Sequence, residues 1–263
     1  MPVTEIFRGL IRCRHLLFML TWRDLRLRYK QTVMGILLAL LMPMLIVASG
    51  LLVKKAFSIV SGQTLTVLDV ASVSVKALPW AFFVASVRFA SNSLLANSNP
   101  ATKMYMPREV FPLSAVLANL SDFAIASGVL IVALAVMGIG ASVHLVWLPV
   151  LLTLLVLLTM GISMLVACAN LFFRDVRQIV EVVLTFGIFF TPVFYEASTF
   201  GEWAPVLLLN PISPLLEGLN DVVVLHHAPD LLWLGYAACW AIGGFLIGLK
   251  IFAAAEPKFA GNL

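Results

Sequence analysis

Two opposite charges stand in stretches that are otherwise apolar: Arg88, within Ala77–Ala96, and Asp122, within Pro112–Gly138. A charge in hydrocarbon costs about 2.5–3.5 kcal/mol on insertion scales, so each needs a partner or water. Counted from the loop that joins the two stretches, both lie roughly 14 Å deep at about 1.5 Å per residue. One reading is a buried Arg88–Asp122 ion pair that pins this hairpin. The other turns Arg88 into a hydrated channel, where it meets anionic cargo.

A second constellation is aromatic. Trp80, Phe82, Phe83 and Phe89 gather on one stretch, and Phe186, Phe189, Phe190, Phe194 and Tyr195 on another. Phe82, Ser86, Phe89 and Ser93 share a helical face on which rings alternate with hydroxyls. Such a face suits sugars, whose C–H surfaces stack on rings while their hydroxyls exchange hydrogen bonds with serines. Taken singly, each ring reads as packing or lipid-facing. The channel-lining candidates are Trp80, Phe82, Ser86, Arg88, Phe89, Ser93, Phe186, Phe190, Phe194 and Tyr195.

Catalytic patterns are missing from the sequence. There is no G-x-x-x-x-G-K-[ST] loop to cradle a nucleotide, no paired carboxylates in a polar setting, and no Ser/His/Asp or Cys/His spacing. His226 and His227 are adjacent, diverge on a helix and have no third ligand nearby, so they read as a surface pair, and no metal site is expected. Cys13, Cys168 and Cys239 are far apart, which suggests neither a disulfide nor a metal.

The elements that must carry these residues follow from composition. With 62% hydrophobic and 11% charged residues, the chain lies outside the range of water-soluble domains. Val33–Val53 has no ionisable side chain over about 21 residues, and a helix of that length covers roughly 31 Å, a bilayer core. Six spans are expected: Val33–Val53, Ala77–Ala96, Pro112–Gly138, Leu145–Ala169, Ile179–Tyr195 and Leu231–Leu249. Of the 17 basic residues, 13 fall in the N-terminal segment, the alternate loops and the tail, against Lys54, Lys55 and Lys76 in the other connections. By the positive-inside rule both termini are cytoplasmic, and the net charge of +4 reports orientation rather than nucleic-acid binding. Leu16–Leu20 is too short for the apolar core of a signal peptide.

Phe18, Trp22, Leu25 and Tyr29 share a face of a helix, with Arg23, Arg26 and Lys30 beside it and Leu20 and Leu27 blurring the division. That pattern predicts an interfacial amphipathic helix, its rings at headgroup level. The connection Glu196–Asp230 holds two apolar runs too short to cross, Trp203–Leu209 and Pro214–Leu225. In the second, Leu215, Leu216, Leu219, Val222 and Val223 share one face and Glu217, Asn220 and Asp221 another, as in short re-entrant helices. Gly244 and Gly248 form a small-xxx-small pair suited to close helix packing.

The run LPWAFFVASVRFASNSLLANSNPATKMYMPREVFPLSAVLANLSDF, Leu78–Phe123, resembles the polysaccharide-exporting permeases of the ABC exporter superfamily, the type-two subunits that move O-antigen and teichoic-acid polymers. Trp22–Gly35 (WRDLRLRYKQTVMG), Asn170–Gln178 (NLFFRDVRQ), the TPVFY ending at Tyr195 and Asn210–Pro214 (NPISP) agree in the same order. The resemblance implies a homodimer of six-span subunits with two copies of a separate ABC ATPase, which binds the ATP and Mg that this chain does not. It implies that the loop Asn99–Arg108 docks on the ATPase, with Asn99, Lys103, Tyr105, Met106, Pro107 and Arg108 as candidates and Arg174 and Asp175 as a lesser contact. Met106 stands where the family typically has a phenylalanine. Trp22, Arg23, Arg26 and Tyr29 would belong to the interfacial helix, and Trp203–Leu225 to outer gate helices.

The expectation is an all-α, polytopic membrane protein with six transmembrane helices, an N-terminal interfacial helix and short gate helices between spans five and six. It forms one domain, 1–263: a cytoplasmic segment 1–32, a six-span body 33–249 and a tail 250–263. As permease of an inner-membrane ABC exporter it would move a lipid-linked, O-antigen-like polysaccharide outward without being an enzyme itself. The alternatives are an exporter of teichoic acid or another amphiphile, a polytopic glycosyltransferase, and a passive channel or scaffold.

Overall fold

A backbone that crosses hydrocarbon satisfies its polar groups only as a helix or within a closed barrel, and the described residues take the helix. The computed structural model describes residues 13–30, 35–61, 64–97, 107–173 and 175–256, and every regular element among them is helical. The main helices are α1 (Arg14–Lys30), α2 (Gly35–Ser61), α3 (Val67–Ser91), α4 (Val110–Val136), α5 (Leu148–Phe172), α6 (Val176–Gly187), α7 (Ser213–Asn220) and α8 (Leu231–Ala255). Four of them, α3, α4, α5 with the 3₁₀ turn before it, and α8, are long and apolar enough to cross a membrane.

The helix α3 is the spine. Of its most apolar stretch 78% is buried, against 28% for α4 and α8, so it is enclosed by protein while they present a broad outer surface. An apolar cluster including Trp80, Leu155, Leu215, Leu216 and Ala237 joins α3 to α5, α7 and α8. A second cluster packs Leu20 of α1 against Leu94, Phe111, Met164, Leu249 and Phe252. The α5–α8 crossing depends on glycine. A Cβ on Gly161 would stand 2.7 Å from the Gly244 carbonyl carbon, and one on Gly248 would stand 2.9 Å from the Gly161 oxygen. The Gly244/Gly248 pair is thus half of a backbone-to-backbone contact that Gly161 completes.

Three expectations change. The fifth stretch, Ile179–Tyr195, is not one helix: α6 ends at Gly187, 12 residues or about 18 Å long. Beyond it Phe189 and Phe190 donate to the carbonyls of Phe186 and Gly187 in tight turns, and Pro192 cannot continue a helical ladder. The second span begins ten residues early, at Val67. Thr66 and Asp69 there form a reciprocal capping box, the Asp69 N–H donating to Thr66 Oγ1 at 3.3 Å and the Thr66 N–H to Asp69 Oδ2 at 2.9 Å. Lys76 is therefore no loop charge but lies inside α3, 1% exposed.

The N-terminal helix has two apolar faces. Leu20 turns inward to the bundle, while Phe18 and Trp22 stack outward with centroids 6.3 Å apart and planes 14° from parallel. Leu20, which blurs the amphipathic pattern, is the residue that docks the helix on the bundle.

Candidate functional site: the polar contacts of the spine helix

Polar groups at both ends of α3 meet residues from distant parts of the chain. At the Lys76 end, the ammonium donates to the Tyr195 carbonyl at 2.6 Å and lies 3.5 Å from Glu217 Oε1. Glu217 Oε1 also accepts from the Ala197 N–H at 3.0 Å. A buried ion pair survives only when further hydrogen bonds satisfy it, and these two supply them. Burial pushes the Glu217 carboxyl above its ordinary range, with Lys76 and the Ala197 N–H pulling it back. One turn on, burial and then the Glu217 charge raise Asp221 to about 6. The helix hairpin is closed nearby by Lys54 of α2, 2.7 Å from Asp69.

The short helix α7 is amphipathic as its pattern predicts. Leu215, Leu216, Leu219 and Val222 are buried, and Val223, expected on the same face, is only partly so. Asn220, placed by pattern on the polar face, is buried with them, while Glu217 is turned to Lys76. Asn210 donates to Thr191 Oγ1 at 3.0 Å, and Thr191 donates to the Gly187 carbonyl at 2.8 Å, so the NPISP and TPVFY segments hold each other.

At the other end, α3 stops where Asn92 bends the chain, and the buried Asn170 donates to the Ser91 carbonyl at 2.7 Å. Arg23 of α1 donates to Asn97 Oδ1 at 2.9 Å, and Asn97 donates to the Ser93 carbonyl at 2.8 Å. The Arg88 guanidinium meets Glu181 of α6, Nε to Oε2 at 2.8 Å, close enough for an ion pair though not aligned as a hydrogen bond. The carboxylate found on Arg88 is Glu181, where the hairpin reading expected Asp122.

The channel-lining candidates divide by burial. Phe82 and Ser86 are buried, Phe82 against Phe123 at 5.2 Å, so within this subunit their face is covered by α4 rather than open. Ser93 is buried with its hydroxyl on the Ala90 carbonyl. Trp80 packs on Phe83 and beside Gly187, and Phe194 is buried between α2 and α3, near Gly50 and Val73. Tyr195 donates its hydroxyl to the Phe189 carbonyl. Phe89, Phe186 and Phe190 are exposed, and with Arg88 they remain accessible from outside the subunit.

Of the docking-loop candidates, Asn99, Lys103, Tyr105, Met106 and Arg174 lie outside the described residues, as does the side chain of Tyr29. Arg108 is tied to the end of α8, its N–H donating to Glu256 Oε1 and its guanidinium to the Glu256 carbonyl, both at 3.4 Å. Burial, then the Glu256 charge, raises the adjacent Glu109 carboxyl. Pro107 opens the turn into α4, and Asp175 is exposed at the start of α6. Arg26 is exposed on α1.

Sequence reasoning missed the Lys76–Glu217 pair and the asparagine ties. The signal for Lys76 was Thr66-x-x-Asp69 ahead of an apolar run, which starts the helix early enough to enclose it.

Residues 15–224 match the family described as ABC-2 type transporter. The chain is 28% identical over 262 residues to an O-antigen export system permease protein RfbA of Myxococcus xanthus, covering 98% of this chain and 99% of that one. It is 27% identical over 247 residues to a protein of the same name from Klebsiella pneumoniae, covering 93% of each.

Proposed function

Since the chain belongs to the ABC-2 type transporter family, we propose that it is the permease of an exporter that moves a lipid-linked, O-antigen-like polysaccharide out of the cytoplasm. As a member of that family it is a membrane transporter subunit without catalytic chemistry of its own. The observation that carries the cargo assignment is the similarity to O-antigen export permeases along nearly the whole of both chains. A partner ATPase binds and hydrolyses ATP.

On this reading two copies of the chain form the conduit and two ATPase copies drive it. The helix α2, and α6 with the turns up to Tyr195, join the four long apolar helices to make six passes. Both termini are then cytoplasmic, with α1 in the inner headgroup layer and α7 re-entrant from outside. The accessible rings Phe89, Phe186 and Phe190 support a glycan-facing wall between the two copies. The segment Asn99–Arg108 docks on the ATPase, with Arg174 and Asp175 beside it, and the Arg108–Glu256 contact passes its displacement to α8. Conformational drive requires contacts that differ between nucleotide states, and those belong to this docking surface.

The test is a deletion strain complemented with variants. Loss of surface polysaccharide and accumulation of polymer inside, restored by the wild type and not by Arg108→Glu or Lys103→Glu, is the expected result. Unchanged surface polysaccharide in the deletion strain overturns the cargo assignment.

A further inference from the structure

Four carboxylates face one pocket at the Lys76 end of the bundle. Glu196, Glu217, Asp221 and Asp230 line a cavity of about 300 Å³ beside the Trp233 indole. The ammonium that meets them is Lys76, 1% exposed, set on Glu217 and on the Tyr195 carbonyl. Lys54 of α2 is already paired with Asp69. We propose that α7, with the Ala197–Trp203 turn it holds, is an outer gate carrying a proton-operated brake: uncharged Asp221 lets Lys76 hold the gate shut, and ionised Asp221 loosens it. The brake rests on the orientation proposed above, which puts this end of the spine outside, and goes beyond it by giving the gate a signal.

The closed arrangement sets strong ties against unmet groups. Lys76 and the Ala197 N–H both meet Glu217, and Lys76 also holds the Tyr195 carbonyl, so α7 and the turn are tied to the spine. Against these ties, Asn220 and the Ser213 hydroxyl are fully buried on α7 with no hydrogen-bond partner among the described residues. Such groups carry a desolvation cost that contact with water on opening would remove. After Asn220 the chain widens into one π turn, Asp221–Leu225, and His226 takes a left-handed φ of 57°. Both conformations are uncommon and persist only under restraint from their surroundings.

One proton tips this balance at Asp221. The charged groups that face it are Glu217 on α7, Lys76 on α3, Glu196 ahead of the turn and His227 in the loop that follows. The pocket adds Asp230 and gives water a path to the carboxyl. Tyr195, on the neighbouring turn, has its hydroxyl on the Phe189 carbonyl. Burial and then the Glu217 charge oppose the ionised form of Asp221, raising it from 3.8 to about 6. Opening hydrates the carboxyl and returns it toward its ordinary value. The closed form therefore binds the proton more tightly, and its advantage is lost as pH rises from about 4 to about 6. Protonation of Glu217 instead would strip Lys76 of its counter-ion and loosen the gate in acid, the opposite sign.

The test is hydrogen–deuterium exchange of the complete exporter, permease and ATPase, in lipid nanodiscs. It is read on peptides covering 197–203 and 213–225 and corrected for the intrinsic effect of pH on exchange. Wild-type protection of both should fall about tenfold from about pH 5 to about pH 7.5, the ratio expected for a carboxyl at about 6 when closed and 3.8 when open. Asp221→Asn should keep the acid-level protection at both pH values, and His227→Gln should keep the wild-type response; unchanged exchange in α5 and α8 shows that each variant is folded. Equal wild-type protection at the two pH values, the opposite sign, a response that survives in Asp221→Asn, or one lost in His227→Gln overturns the proposal. In cells the outer face follows the pH of the medium while the cytoplasm holds its own. Export by the wild type should slow in acid medium, and export by Asp221→Asn should be slow in acid and neutral medium alike; export indifferent to the medium in both strains also overturns the brake. The exchange measurement uses no cargo, so it stands or falls apart from the polysaccharide reading, which the deletion strain tests.

Discussion

Helix α3 carries two cations twelve residues apart, and the structure treats them in opposite ways. Lys76 is sealed in the interior, its ammonium on a backbone carbonyl and a half-enclosed carboxylate. Arg88 pairs with a carboxylate across an open pocket, and both side chains stay 40% exposed. The difference shows what each end can do. A buried pair stripped of water is costly to open, so the Lys76 end fixes α7 and the Tyr195 turn to the spine. An exposed pair is worth little and is easily rearranged, so the Arg88 end can open to a ligand or to motion of α6.

The largest expected effect breaks the sealed pair. Lys76→Met leaves Glu217 buried without its cation and should cost about 3–5 kcal/mol, while Lys76→Met with Glu217→Leu should recover most of the loss. Thermal melting of the detergent-purified protein measures both. A single variant that melts with the wild type would erase the contrast between the two ends.

Next comes the crossing that both ends share. Gly161→Ala drives a methyl into the Gly244–Phe245 backbone and should destabilise by about 1–3 kcal/mol, whereas Gly243→Ala, where nothing lies within 4 Å of the added methyl, should be close to neutral. Comparing the two melting curves isolates packing from helix propensity.

The third prediction uses pH. Asp221 has its carboxyl raised from 3.8 to about 6 in the folded chain, so the folded state binds the proton more tightly than the unfolded state. Stability should fall as pH rises from about 4 to about 6, with the cost fully present above that window. Asp221→Asn should flatten this dependence at the Lys76 end, read as melting temperature at pH 5 against pH 7.5. A variant that keeps the wild-type slope would place the titrating group elsewhere.

The smallest effect belongs to the open pair. Glu181→Gln should change stability by less than about 1 kcal/mol, because both partners are water-accessible. A loss as large as that for Lys76→Met would show the Arg88 end to be as rigid as the other.

Much of this arrangement was legible in the residues. The helical stretches holding Pro112–Gly138 and Leu145–Ala169 were found to within about three positions, and α8 starts at Leu231 as expected but runs on to Ala255; the apolar face of α7 was read in part, with Val223 less buried and Asn220 more buried than the pattern indicated. The end of α6 was not, because the apolar run continues through Phe190 to Phe194 while the backbone has already turned. Hydropathy sums side chains and does not register a helix that stops at Gly187 ahead of Pro192. Phe82 and Ser86 looked like a channel face because periodicity gives the face but not its neighbour. The asparagines at 97, 170 and 210 stood inside segments that carried the family resemblance, yet their hydrogen bonds required knowing which carbonyls would come near.

What the sequence determined by itself was the solvent and the elements: a membrane-embedded helical chain. Those follow from free energies that add residue by residue along a short window. The tertiary structure alone decided which charges meet, because Lys76 with Glu217 and Arg88 with Glu181 are pairings between segments about a hundred or more residues apart. Coulomb and desolvation energies depend on distance in space and on what surrounds the pair, and neither exists until the helices have packed.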